Sequence, residues 1–93
     1  MMYLNLMETD QSLLPKDPEE RKKIMAPIIE MAKKDLASGE LKMAGVSPDG
    51  VNSFVVSTQD LKTIYTKAQF LAPYMKIKVM PMLSVDELMD AMK

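Results

Sequence analysis

Apolar and polar positions change period several times along the chain, and each change marks an element. Between Met2 and Glu8 the side chains alternate, with Met2, Leu4 and Leu6 set against Tyr3, Asn5 and Met7. A period of two is the mark of a strand, here with one apolar and one mixed face. From Thr9 to Lys16 the alternation stops in a loop centred on the apolar pair Leu13-Leu14, and exposed apolar groups of this kind commonly mark association. Asp17-Pro18-Glu19-Glu20 then opens a helix: Asp17 caps it, Pro18 has the dihedral angle of a first helical residue, and Glu20 stands where a capping box places its carboxylate. Ile24, Ile28, Met31, Ala32 and Leu36 follow at helical spacing, Arg21, Lys22, Lys33 and Lys34 fall mainly outside that stripe, and Gly39 supplies the terminus. Pro27 lies inside this segment; it removes one backbone hydrogen bond and crowds the Lys23 carbonyl, which predicts a kink or a restart.

Glu40 to Val46 and Val51 to Ser57 read as two strands joined by the turn Ser47-Pro48-Asp49-Gly50. Proline presets one dihedral of such a turn and glycine supplies a positive one, so the pair is an antiparallel hairpin. Gly45 marks a bulge or a close approach of another backbone. Ser57 or Thr58 is expected to cap a second helix carrying Leu61, Ile64, Tyr65, Ala68 and Leu71 on one face, ended by Pro73. Met75 to Leu83 reads as the last strand, where Ile77 and Val79 alternate with Lys76 and Lys78, and Pro81 suits an edge. Ser84-Val85-Asp86-Glu87 is a capping box for a short helix with Val85, Leu88, Met89 and Met92 on one side. A helix that short needs a surface to dock on.

The resulting order is β-α-β-β-α-β plus a terminal helix: an α+β, ferredoxin-like single domain over residues 1–93, with a four-stranded antiparallel sheet covered on one face by two helices. Alternation assigns Leu4, Leu6, Ile77 and Val79 to the helix side. It assigns Tyr3, Asn5, Met7, Lys76, Lys78, Met80 and Met82 to the open side, a semi-polar face that a second sheet covers to form a partly wet barrel.

Composition narrows the function classes. The 93 residues carry 12 Lys and Arg against 13 Asp and Glu, a net charge of −1 with the signs interspersed, which argues against a nucleic-acid partner. Tyr3-Leu4-Asn5-Leu6 faintly echoes the first-strand aromatic motif of RNA-binding domains, but the third strand lacks the matching basic and aromatic residues. Apolar runs are far shorter than a membrane span, and the N-terminus has neither the basic start nor the apolar stretch of a signal peptide, which points to the cytoplasm and away from a membrane. The chain has no Cys and no His, removing disulfides, thiolate nucleophiles, histidine acid–base chemistry and the usual zinc ligands. Eleven Met indicate an adaptable core and subunit interface, or a Met-lined ligand cavity.

The N-terminal strand, the loop ending at Asp17-Pro18, the long helix, the glycine-turned hairpin and Pro73-Tyr74-Met75 with Ile77 and Val79 make the chain resemble the dimeric α/β-barrel superfamily over nearly its whole length. Within that superfamily it looks most like small uncharacterised members and, more distantly, like muconolactone isomerase, whose last strand is entered by a similar Pro-Tyr-Met segment. The resemblance implies a homodimer whose two sheets form a barrel. In enzymatic relatives the site lies between sheet and helices or at the barrel mouth. Mechanisms and haem ligation that depend on histidine do not transfer to a chain without one.

Two functions follow as expectations: a small homo-oligomeric protein holding a small molecule in the barrel interior, or an isomerase- or lyase-type enzyme moving a proton on a small organic acid. Tyr3, Asn5, Met7 and Lys78 are the candidate ligand-binding group. Tyr3, Glu8 and Lys78 are the catalytic candidates: Lys78 to hold an anion, Tyr3 to donate a proton, Glu8 to act as base. The bland alternatives are a lysine that protects a strand edge and a Tyr and Asn that bond across an interface. Leu13, Leu14, Met80 and Met82 are the expected dimer interface. No metal site is expected, since Glu8 and Asp10 alone are too few oxygen ligands, and no cofactor is implied.

Overall fold

A computed structural model describes residues 1–93 as β1 (Met2–Thr9), a 3-10 turn (Gln11–Leu13), α1 (Pro18–Ser38), β2 (Leu41–Val46), β3 (Asn52–Ser57), α2 (Leu61–Leu71), β4 (Met75–Met82) and α3 (Val85–Ala91). All pairings are antiparallel and the sheet runs β2-β3-β1-β4, so β1 and β3 lie inside while β2 and β4 form the edges. Pro81, lacking an N–H, sits on an edge strand as expected. The protein is α+β, with an open four-stranded sheet and three helices, and no helix is long and apolar enough to cross a membrane.

Local signals explain most of the boundaries. The Asp17 carboxylate accepts from the Glu19 amide at 3.2 Å, Pro18 is the first helical residue, and Gly39 closes α1 with φ 83°, a conformation that favours glycine. α1 does not restart at Pro27 and is helical throughout. Pro27 and Lys23 are both on the exposed side, so the carbonyl that proline leaves without an intrahelical donor faces water. In the hairpin, the Gly50 amide donates to the Ser47 carbonyl at 2.8 Å and Gly50 has φ 75°. Asp49 accepts from the Ser47 hydroxyl and the Val51 amide.

Two expectations are corrected. Asp60, not Ser57 or Thr58, caps α2, accepting from the Thr63 amide at 2.8 Å. Ser57 stays in the sheet opposite Tyr3 and Leu41, and Thr58 donates from its backbone to the Glu40 carbonyl at 3.0 Å. Gly45 is neither a bulge nor a site of backbone approach. The register shift falls between Leu41 and Met43, while a Cβ on Gly45 would stand 2.5 Å from the Phe54 ring, which lies over the glycine.

Register decides which way each strand faces, because directly opposed antiparallel residues share a face. β1 pairs Asn5 with Val55 and Val79, and Met7 with Ser53 and Ile77. Asn5 and Met7 therefore lie on the Ile77 side, under the helices, and Tyr3 shares their register. Leu4 and Leu6 lie on the open face with Phe54, Val56, Lys78 and Met80. The expected β4 orientation holds and the β1 orientation is reversed by one residue.

Seven of the 93 residues are buried in a single chain, and Asn5, Thr9, Asp35 and Ser57 among them are polar, leaving Leu14, Leu41 and Ile64 as the apolar ones. The Cα radius of gyration, 14.8 Å, exceeds the roughly 12 Å of a compact domain this long. One chain thus makes an extended scaffold around a small and partly polar interior.

Candidate functional site

The interior is a cavity of about 370 Å³ between the sheet and the paired helices α1 and α2. Its helical walls carry Met25, Ile28 and Met31 from α1 and Ile64, Ala68 and Leu71 from α2, and Met7, Met75 and Ile77 rise from the strands. The volume falls within the range of small-molecule pockets, and the lining has the usual make-up of many apolar groups with a few polar ones.

The polar groups are on the floor. Asn5 is 5% exposed, Thr9 6% and Ser57 1%. The Ser57 hydroxyl accepts from the Gln59 amide at 3.0 Å and donates to the Gln59 side chain at 3.4 Å. Asn5 makes one long bond, from its amide nitrogen to the Tyr3 carbonyl at 3.4 Å, which leaves its side-chain oxygen without a protein donor. The Thr9 hydroxyl makes no bond within the chain, although the Thr9 backbone amide donates to Val51 at 2.7 Å. No polar side-chain atom is sealed away from solvent without a partner, so the free Asn5 and Thr9 atoms open onto the cavity they line. Buried polar groups seek hydrogen-bonding partners, and these two are placed to bond whatever enters.

One ion pair joins the walls. Lys67 of α2 reaches Asp35 of α1 at 2.5 Å, with side-chain exposures of 28% and 10%. No other charged side chain lines the cavity. The pair went unread in the sequence although a signal exists: Asp35 continues the spacing of Ile28, Met31 and Ala32, and Lys67 lies within that of Ile64, Ala68 and Leu71. Opposite charges on two inward stripes mark a bridge between helices. Thr9 and Ser57 were missed because a polar strand face is ordinarily read as solvated.

The sequence candidates separate. Asn5 and Met7 line the cavity, whereas Lys78 and Glu8 flank a shallow hollow on the open face with Asn52 and Lys76. Tyr3 is on the helix side by register, so Tyr3 and Lys78 do not meet within one chain. Met80 and Met82 share the open face with Leu4, Val56 and Met43. The leucine pair splits: Leu14 is 7% exposed and packs within its own chain, while Leu13 is 56% exposed. Leu14 is therefore already covered without a partner. Its loop is held by the Arg21 side chain donating to the Pro15 carbonyl at 3.2 Å. α3 turns Val85, Leu88, Met89 and Met92 to the outside.

The carboxyl groups whose ionisation is displaced all serve turns and caps. Hydrogen bonds from Ser12 hold Asp10 below its ordinary value, Ser47 does the same for Asp49, Thr63 for Asp60 and Ser84 for Glu87. None of the four lines the cavity, whose polar lining consists of neutral hydrogen-bonding groups and the one ion pair between Asp35 and Lys67. No family model matches the chain, and no curated protein matches it.

Proposed function

We propose that the protein is a small homo-oligomeric binding module that holds a small organic molecule in the cavity between its sheet and helices α1 and α2. The observation that carries this reading is the pair of buried polar side chains, Asn5 and Thr9, opening into a mainly apolar 370 Å³ space. An interior shaped only for stability would place apolar groups there. The expected ligand position between two sheets gives way to one beneath the helices, because β1 turns Asn5 and Met7 that way.

The homo-oligomeric part draws on the open face. Leu4, Leu6, Phe54, Val56, Met80 and Met82 form an apolar field there, with Glu8, Lys76 and Lys78 at one corner. Both charge signs at one corner suit a two-fold contact, in which each patch meets its own copy. Four strands about 4.8 Å apart and up to eight residues long present roughly 500 Å². A stable interface takes roughly 800 Å² per partner, and the exposed apolar side chains of α3 are further candidates for it. The strand order, with both long helices on one side, supports reading the fold as ferredoxin-like and the assembly as a dimeric α/β barrel of the superfamily the sequence resembles. The rival enzymatic reading involves Lys78, Tyr3 or Glu8; of these, Glu8 and Lys78 share the open face and Tyr3 lies on the other.

Native mass spectrometry of the protein as purified, with light scattering, tests both parts. The expected result is an assembly of at least two 10.5 kDa chains carrying a small molecule that organic extraction removes. A single chain that also fails to take up a neutral apolar dye overturns the reading.

A further inference from the structure

We infer that the cavity selects a neutral molecule, mainly apolar with one or two carbonyl, hydroxyl or amide groups, and rejects the carboxylate or ammonium form of the same skeleton. This rests on the reading that the cavity is a binding site. The cavity wall carries a short inventory of charges and hydrogen-bonding groups. Asp35 and Lys67 are the only charged side chains on the cavity wall, and at 2.5 Å they neutralise each other. A ligand carboxylate reaching for Lys67 would either displace Asp35, whose side chain is 10% exposed, or stand beside it as a second negative charge that the one cation does not balance. An ammonium group reaching for Asp35 meets the mirror-image problem with Lys67. Removing one member of a buried pair is strongly unfavourable, since the remaining charge loses its compensation.

A neutral ligand leaves the pair intact and still finds partners. The Asn5 side-chain oxygen accepts, its amide nitrogen has a second hydrogen to donate, and the Thr9 hydroxyl does either. The Met and Ile walls take the apolar body, and methionine adapts to irregular shapes. The same inventory weighs against a small organic acid as the ligand of this cavity.

The test is competition against a neutral fluorophore, N-phenyl-1-naphthylamine, bound to the full chain at pH 7, with 4-phenylbutanamide and 4-phenylbutanoate as matched competitors. The amide is expected to displace the dye at a concentration at least about tenfold lower than the acid. Equal potency, or a preference for the acid, overturns the inference while leaving the cavity a binding site. Absence of any dye or competitor binding removes the binding-site reading and the inference with it. Asp35→Asn releases the Lys67 cation, and the acid is then expected to gain about tenfold relative to the amide. Lys67→Met, with no cation to offer, must show no such gain; a gain there, or none in Asp35→Asn, overturns the role given to the pair. Asn5→Leu is expected to weaken the amide about tenfold relative to the dye, and an unchanged ratio of the two affinities removes Asn5 from the recognition. Circular dichroism of each variant confirms that the comparison is made on folded protein.

Discussion

Beneath the helices, the two central strands present Asn5, Thr9, Ser53 and Ser57, whereas their uncovered side presents Leu4, Leu6, Phe54 and Val56. In an ordinary two-layer α+β domain the apolar side of the sheet packs on the helices and the polar side meets water. Here the face with more hydrogen-bonding groups is enclosed, and the more apolar one is open, with Leu6 and Met82 each 40% exposed. Neither face is explained by the stability of an isolated chain. On the proposed function, the open face is the protein–protein surface and the covered one the pocket for a molecule with its own polar groups.

The contrast breaks most sharply on the open side. Leu6→Lys combined with Phe54→Lys is expected to reduce the proposed assembly to a 10.5 kDa chain in light scattering while the circular dichroism spectrum persists. An assembly that survives both charges places the interface elsewhere.

The enclosed side responds next. Lys67→Ala leaves Asp35 inside without its cation and is expected to lower stability by about 2 kcal/mol in urea titration, less than a fully buried pair because Lys67 is 28% exposed. The double replacement Asp35→Leu with Lys67→Met is expected to recover most of that loss, since an apolar pair of similar size substitutes well for a buried ion pair. Failure to recover means that the pair's bonds, and not only its charge balance, hold the helices.

Gly45→Ala sharpens the description of the open face. Its new Cβ would enter the Phe54 ring position at 2.5 Å, so a loss of about 1 kcal/mol and a displaced Phe54 resonance are expected. An unchanged aromatic spectrum means the ring does not rest on the glycine.

Acid gives the smallest effect and acts outside both faces. Hydrogen bonds from Ser84 hold Glu87 below its ordinary 4.5. A lowered folded value contributes stability above the unfolded one, and that contribution fades as pH falls below the ordinary value and through the lowered one. Amide exchange in α3 is expected to rise over that window before the sheet responds. Simultaneous loss of α3 and the sheet would show that α3 is part of the same cooperative unit.

The elements themselves were legible because their causes are local. Asp17-Pro18 and Gly39 bound α1, Ser84 with Glu87 opens α3, and Ser47-Pro48-Asp49-Gly50 turns the hairpin; each signal acts within a few residues of itself. The cap of α2 was misread because three neighbouring residues, Ser57, Thr58 and Asp60, all have capping side chains, and only the pairing of Ser57 in the sheet frees Asp60 for the role. Asn5 and Met7 were recognised as ligand-binding candidates, yet their alternation says only that they share a face, not which face.

The chain's own pattern therefore determines the α+β class, the order of elements, the hairpin, and the division of β1 into two alternating sets. The tertiary structure decides which set is enclosed, that Asp35 meets Lys67 across two helices, and that Leu14 is covered while Leu13 is not. The physical reason is range. Caps, turns and periodicities are energies of near neighbours, whereas a one-residue choice of strand face is fixed by pairing partners more than forty positions away, as when Asn5 lies between Val55 and Val79.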